Sequence, residues 1–179
     1  MFLLLTSKGW RIEAIRTEDE KIQFAQLELQ LQIHQEKNNP LENYLQSKHH
    51  GDFVKVAELI QKSCEKYNIP FEITLAIAIL ESGYGTSRIA QEKQNFFAIG
   101  AYDWNPYNSA SDFSDLSLEE AIDYQILILK NDYFVRYKNL EEIAKNYCRN
   151  WRSWLEEVKF IAREVTEIFP KNVKYEQIK

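Results

Sequence analysis

Glu81 is the residue whose position is hardest to explain by packing alone. It closes the apolar run ITLAIAIL, residues 73–80, and Gly83 and Gly85 follow directly behind it. An ionised carboxylate loses much hydration free energy in an apolar surround, so a glutamate here needs a reason. Either it lies at a helix end facing solvent, or it sits in a cleft where a perturbed carboxyl group can move a proton. Further acids, Asp103, Asp112 and Asp115, fall in or just after an irregular run that also carries Asn95, Phe96, Phe97, Tyr102, Trp104 and Tyr107. Metal chemistry is not expected. Neither CxxC nor HExxH occurs, and the three histidines, His34, His49 and His50, cluster early. No cofactor motif stands out either.

Bulk properties narrow the class. A chain of 179 residues suits one domain with an N-terminal extension. At 45% hydrophobic and 27% charged it can bury a core. A net charge of −5 leaves no basic stripe for phosphates, so nucleic-acid binding is not expected. The 10 Tyr, 10 Phe and 4 Trp suit a carbohydrate-stacking groove, although aromatic core filler is the plainer explanation. Cys64 and Cys148 do not make a disulfide framework; both are read as buried thiols, while an exported chain could pair them. No apolar run is long enough to span a bilayer. The opening MFLLLTSKGW lacks a basic n-region and is not a complete signal peptide. It is either the remnant of one or the start of a strand or helix.

Several elements must position these residues. Residues 10–38 are rich in Glu and Gln and carry two competing periods: Ile15, Ile22, Ala25 and Leu29 at heptad-like spacing, and LELQLQIH alternating like a strand. Helix propensity favours a loosely held helix or stalk, able to contact another protein or a second copy. Asn38-Asn39-Pro40 breaks it and marks a boundary, dividing an extension of residues 1–38 from a domain of residues 39–170 and a tail of residues 171–179. Asp52 is placed to cap a helix with the apolar stripe Phe53, Val56, Ala57, Ile60, Cys64 and Tyr67. Pro70 opens a helix that is apolar nearly all round, hence central, running to Glu81-Ser82 and stopped by Gly83 and Gly85. Residues 93–116 have no helical period and read as a long irregular or hairpin-containing segment. Ser117 and Glu120 form a capping box for the next helix. Asn139 with Glu142 caps a short helix through Tyr147, and a last helix carries Val158, Ile161, Ala162, Val165 and Phe169 before Pro170. The fold class is all-α: about five helices around the buried one.

The stretch AIAILESGYGTSRIAQEKQNFFAIGAYDWNP, with its LESGxG core and asparagine-aromatic loop, resembles the signature of bacterial cell-wall endo-β-N-acetylglucosaminidases of the lysozyme superfamily. The flanking NPLENYLQ, FSDLSLEEAIDYQILILKNDYF and NLEEIAKNYCRNWRSWLEEVKFI are similar to the segments around it, so the resemblance covers about residues 39–169. Two positions depart from the pattern: Tyr84 stands where Trp is usual, and Ala98 where a glycine follows the phenylalanine.

The resemblance implies a lysozyme-like helical domain and a glycosidase acting on peptidoglycan glycan strands in autolysin-type wall turnover, hence an extracytoplasmic location. Glu81 corresponds to the general acid that protonates the glycosidic oxygen, and its apolar helix and aromatic neighbour Tyr84 would raise its pKa as that role needs. A second carboxylate is usual in glycoside hydrolysis. Asp103, in AYDWNP, and Asp112 are the candidates, with turn or cap chemistry as the alternative for each. Tyr147 matches a tyrosine across the cleft; the alternative is a core tyrosine beside Ile143 and Ala144. Tyr84, Asn95, Phe96, Tyr102, Trp104 and Tyr107 are the expected substrate-binding set, rings stacking on sugar faces and Asn95 tethering a hydroxyl. A lytic transglycosylase or muramidase on the same polymer, and a non-catalytic wall-binding module, remain open.

Overall fold

The computed structural model describes residues 4–6, 9–11, 22–27, 29, 39–48 and 50–168. The chain divides between Asn39 and Pro40 into two compact units. In the first, strands β1 (Leu4–Thr6) and β2 (Gly9–Arg11) pair antiparallel with Leu5 opposite Trp10, and residues 22–27 are helical. The hairpin takes Trp10 and Arg11 into a strand, where a helix was expected from residue 10 onward. The tail at residues 171–179, together with Phe169 and Pro170, lies outside the described residues.

Among its described residues the second unit has helices joined by turns and loops, and no strand. Helix α1 (Pro40–Ser47) is followed by a 3₁₀ turn at Gly51–Phe53, α2 (Val54–Tyr67), α3 (Phe71–Ser82), α4 (Arg88–Lys93) and α5 (Pro106–Ser109). Next come α6 (Leu118–Leu129), a π-helical turn at Lys130–Phe134, α7 (Leu140–Tyr147) and α8 (Trp151–Ile168). The family-like all-α expectation therefore holds, and the irregular segment after α3 contains the short α5 and turns, with no hairpin among its residues.

Local chemistry explains the ends. Ser117 accepts from the Glu120 N–H while the Glu120 carboxylate accepts from the Ser117 N–H, the reciprocal capping box. Asn139 Oδ1 accepts the Glu142 N–H at 2.9 Å. Asp52 does not cap α2: it lies inside the 3₁₀ turn, and Phe53 holds the N-cap position without a side-chain bond. A tight turn that buries Phe53 gains more than one carboxylate cap, because Phe53 packs under the α3 terminus.

Helix α3 is the axle. Leu75, Ala76, Ile77, Ala78 and Ile79 are all essentially inaccessible, so neighbours cover it on every side. α2 and α8 pack against it, α6 packs on α2, and α7 on α8. Its remaining purpose is at its C-terminal end.

Candidate active site

The end of α3 is built by three consecutive left-handed residues: Gly83, Tyr84 and Gly85 have φ of +56°, +56° and +77°. At Gly85 only glycine fits, because a Cβ would lie 2.9 Å from Phe53 Cδ2. Tyr84 has no such freedom, and a non-glycine residue there costs about 1 kcal/mol. Its ring is held in return: it stacks on His50 with centroids 4.1 Å apart and planes 8° apart, and meets Phe53 edge-on. Ser82 Oγ donates to the Ala78 carbonyl at 2.6 Å and accepts the Gly85 N–H at 2.8 Å. The turn is thus tied back to the helix, and Glu81 is presented from the last turn of α3 toward α8.

There Glu81 meets an aromatic wall. Trp154 of α8 donates its indole N–H to Glu81 Oε1 at 2.6 Å. Trp154 stacks on Tyr147 with centroids 4.8 Å apart, and Tyr147 in turn lies 5.0 Å from the ring of Tyr133 in the π-helical turn. The Tyr147 hydroxyl donates to the Phe97 carbonyl at 2.6 Å, joining α7 to the loop after α4. Burial raises the pKa of Glu81, and the Trp154 N–H, which favours the carboxylate, offsets part of that rise. The negative end of the α3 dipole acts in the same sense as burial. Burial also raises the phenols of Tyr147 and Tyr133, with the Glu81 charge a further cause for each. A carboxyl that keeps its proton to higher pH than usual, with one oxygen unoccupied, can serve as a general acid.

The loop between α4 and α6 separates the remaining candidates. Asn95 is 1% exposed and its amide is fully engaged: Nδ2 donates to the carbonyls of Ile99 and Ser111 at 2.9 and 3.0 Å, and Oδ1 accepts the Ile99 N–H at 3.0 Å. It braces the loop and has no donor left for a sugar. Phe96 is buried against Phe53, so it too is a packing residue. Tyr107 bonds Glu92, with the Arg88 guanidinium 3.9 Å above its ring, and so ties α5 to α4. Asp112 is exposed, accepts the Ser114 N–H at 3.0 Å and its hydroxyl at 2.7 Å, and is held below the usual carboxylate range by those bonds. It is a turn residue by geometry.

Tyr102 and Trp104 differ: they are 61% and 79% exposed on the loop surface. Tyr102 lies within electrostatic reach of Tyr133, and so does Glu81. The Cys148 thiol, raised first by burial, is raised further by the charges of both Glu81 and Asp103. Tyr102 and Asp103 thus act electrostatically on Tyr133 and Cys148, two groups that the Glu81 charge also reaches. Cys64 and Cys148 are both free thiols, and burial pushes Cys64 up to about 12. Among the described residues no group of three or more His, Cys, Asp and Glu could hold a metal ion, and no helix is long and apolar enough to cross a membrane.

Two supporting residues were not singled out from sequence. Trp154 lies on the core stripe of α8 with Leu155, Val158 and Val165, and a buried indole N–H on such a stripe needs an acceptor. That was the available signal. Gln125 is fully buried on α6; its amide accepts the Phe96 N–H at 2.8 Å and donates to the carbonyls of Gln94 and Ala121 at 2.7 and 2.9 Å, fixing the start of the loop. A glutamine among apolar residues gives no comparable signal, since its partners are distant in sequence.

Comparison with known proteins gives a consistent picture. Residues 57–176, more than half of the chain, match a family described as mannosyl-glycoprotein endo-beta-N-acetylglucosaminidase. Two proteins of Streptococcus pneumoniae, one from serotype 4 and one from a second strain, are each 50% identical over 52 residues, and each is named as a candidate endo-beta-N-acetylglucosaminidase. That segment is 29% of this chain and 8% and 7% of those proteins, so the chain spans a small part of the curated relatives it matches.

Proposed function

The chain belongs to the mannosyl-glycoprotein endo-beta-N-acetylglucosaminidase family, and from that premise we propose that it is a glycosidase that cleaves β-1,4 bonds of bacterial cell-wall glycan strands, with Glu81 as general acid. The observation that carries this reading is Glu81 itself, a carboxyl at the end of a buried helix, walled by Trp154 and Tyr147, with its pKa raised by burial. In the reaction Glu81 gives its proton to the glycosidic oxygen as the bond to the anomeric carbon breaks, and water supplies the hydroxyl to that carbon and a proton to restore the acid. Tyr147 lies beside the acid as a rigid wall, its hydroxyl engaged with Phe97. Tyr102 and Trp104 offer exposed rings on which sugar faces stack.

For a second carboxylate we favour Asp103 over Asp112. Asp112 is consumed by Ser114, whereas the charge of Asp103 reaches the thiol that the Glu81 charge also reaches. A family member that works on wall glycan acts outside the cytoplasm, and that location is part of the proposal. A non-hydrolytic lytic transglycosylase is the second reading, supported by the indole of Trp154 being the hydrogen-bond partner of Glu81 among the described residues.

Digestion of purified peptidoglycan by the wild type and Glu81→Gln tests both. The products are reduced with borohydride and identified by mass. Fragments ending in reduced N-acetylglucosamine from wild type, and none from the variant, are expected. Anhydro-muramyl ends would move the reaction to the transglycosylase class. No cleavage of walls from several bacteria would leave a binding module as the reading.

A further inference from the structure

We propose that Trp154 is a positioning residue for the acid: its indole N–H fixes the Glu81 carboxyl so that the transferable proton resides on Oε2, the oxygen left open. The inference rests on the reading of Glu81 as general acid. An indole nitrogen only donates. A protonated carboxyl has one carbonyl oxygen that accepts well and one hydroxyl oxygen that must itself donate. With Trp154 Nε1 at 2.6 Å from Oε1, that oxygen is the acceptor. Turning the carboxyl over would set an O–H against an N–H, two donors face to face, so the other orientation is disfavoured.

The indole cannot yield either. Trp154 is 7% exposed, and its plane is set by the stack on Tyr147, which is itself tied to the Phe97 carbonyl. Glu81 thus meets a donor whose direction is fixed by three elements: α8, α7 and the loop. The other titratable groups facing it are Tyr147 from α7, Tyr133 from the π-helical turn and Cys148 after α7; all three are shifted upward and stay neutral through the acid and neutral range. Beyond them Asp103 and Glu157 act on Cys148. While Glu81 is protonated, the Trp154–Glu81 pair therefore has one transferable proton to place, and the geometry gives it one address.

The consequence is testable without substrate. In isotope-labelled protein, the indole N–H resonance of Trp154, identified by its loss in Trp154→Phe, should move through a single titration as Glu81 ionises. It should be flat in Glu81→Gln. A resonance that does not titrate in wild type overturns the inference, as does one that titrates unchanged in Glu81→Gln. In peptidoglycan digestion, Trp154→Phe keeps an aromatic ring for the stack and loses the donor, together with some buried volume. Its alkaline limb of kcat/KM should move to higher pH by about one unit, because the bond that favoured the carboxylate is gone. Its kcat should fall about tenfold with KM little changed. A wild-type limb in a folded Trp154→Phe also overturns the inference. Full activity of Glu81→Gln would instead remove the acid reading, while the indole titration still reports on the pair. Should Trp154→Phe fail to fold, the titrations of wild type and Glu81→Gln decide the matter alone.

Discussion

The end of α3 and the loop at residues 93–116 solve opposite problems with carboxyl groups and amides. At the end of α3, Glu81 is set against rings, and burial raises its pKa against the opposing effect of its single N–H donor. In the loop, Asp112 faces water and accepts two bonds from Ser114, so its proton is given up. Asn95, buried in the loop, and Gln125, which reaches the loop from α6, are instead completely bonded. The difference separates reactivity from scaffolding. A polar group left partly unsatisfied beside an open surface has chemistry to offer, and one with every bond made holds the backbone.

The largest effect expected from breaking this contrast is at Glu81. Glu81→Gln should reduce wall digestion by at least about a thousandfold, the upper part of what a general acid contributes. It should also raise stability. Since burial lifts the Glu81 pKa above its unfolded value, the unfolded state ionises first as pH rises, and wild type loses stability up through the folded pKa. The glutamine variant avoids that loss, so its Tm should exceed that of wild type at neutral pH and match it in acid. Equal Tm values at both pH values would show that the carboxyl is not desolvated.

Asn95→Ala should come next, with the opposite signature. Losing the amide removes three bonds and orphans the Ser111 carbonyl and the Ile99 N–H, while the Ile99 carbonyl keeps the Ser111 N–H. The cost is about 3 kcal/mol by denaturant unfolding, with activity falling as the loop loosens. Retained stability in this variant would mean that the loop is held by other bonds. Trp104→Ala should leave Tm unchanged, since the ring is 79% exposed, and raise KM about tenfold through lost stacking. An unchanged KM would remove Trp104 from the sugar platform. The smallest effect distinguishes the two aspartates: Asp112→Asn should stay within about twofold of wild-type activity, as a surface turn residue. Asp103→Asn should lower kcat more than that. The reverse order would exchange their roles.

Ala98 shows where a small departure in sequence meets the fold. It adopts φ of +50° even though it is not glycine, so the loop keeps its left-handed step at a cost the side chain imposes. Neighbouring bonds hold it there: Asn95 pins Ile99 on one side, and Tyr147 pins the Phe97 carbonyl on the other. Tyr84, also at positive φ, is retained by its stack on His50. The residues that depart from the glycine and tryptophan of the resembling pattern are thus accommodated by tertiary contacts.

What the sequence by itself determined follows from short-range physics. The apolar run before Glu81 required a buried helix, Gly83 its left-handed stop, and Ser117 with Glu120 the start of α6, because these depend on residues within a few positions of one another. The LESGxG stretch likewise pointed to Glu81. What only the tertiary structure decided was which polar side chains find partners across the fold. Asn95 and Phe96, read as sugar contacts, turned inward because the loop's own carbonyls and Phe53 were there to meet them. Trp154 came to Glu81 from 73 residues away and Gln125 to Phe96 from 29. Hydrogen bonds between distant segments leave no period in a sequence, and they are what divide a proton-holding carboxyl from a turn residue of the same chemical kind.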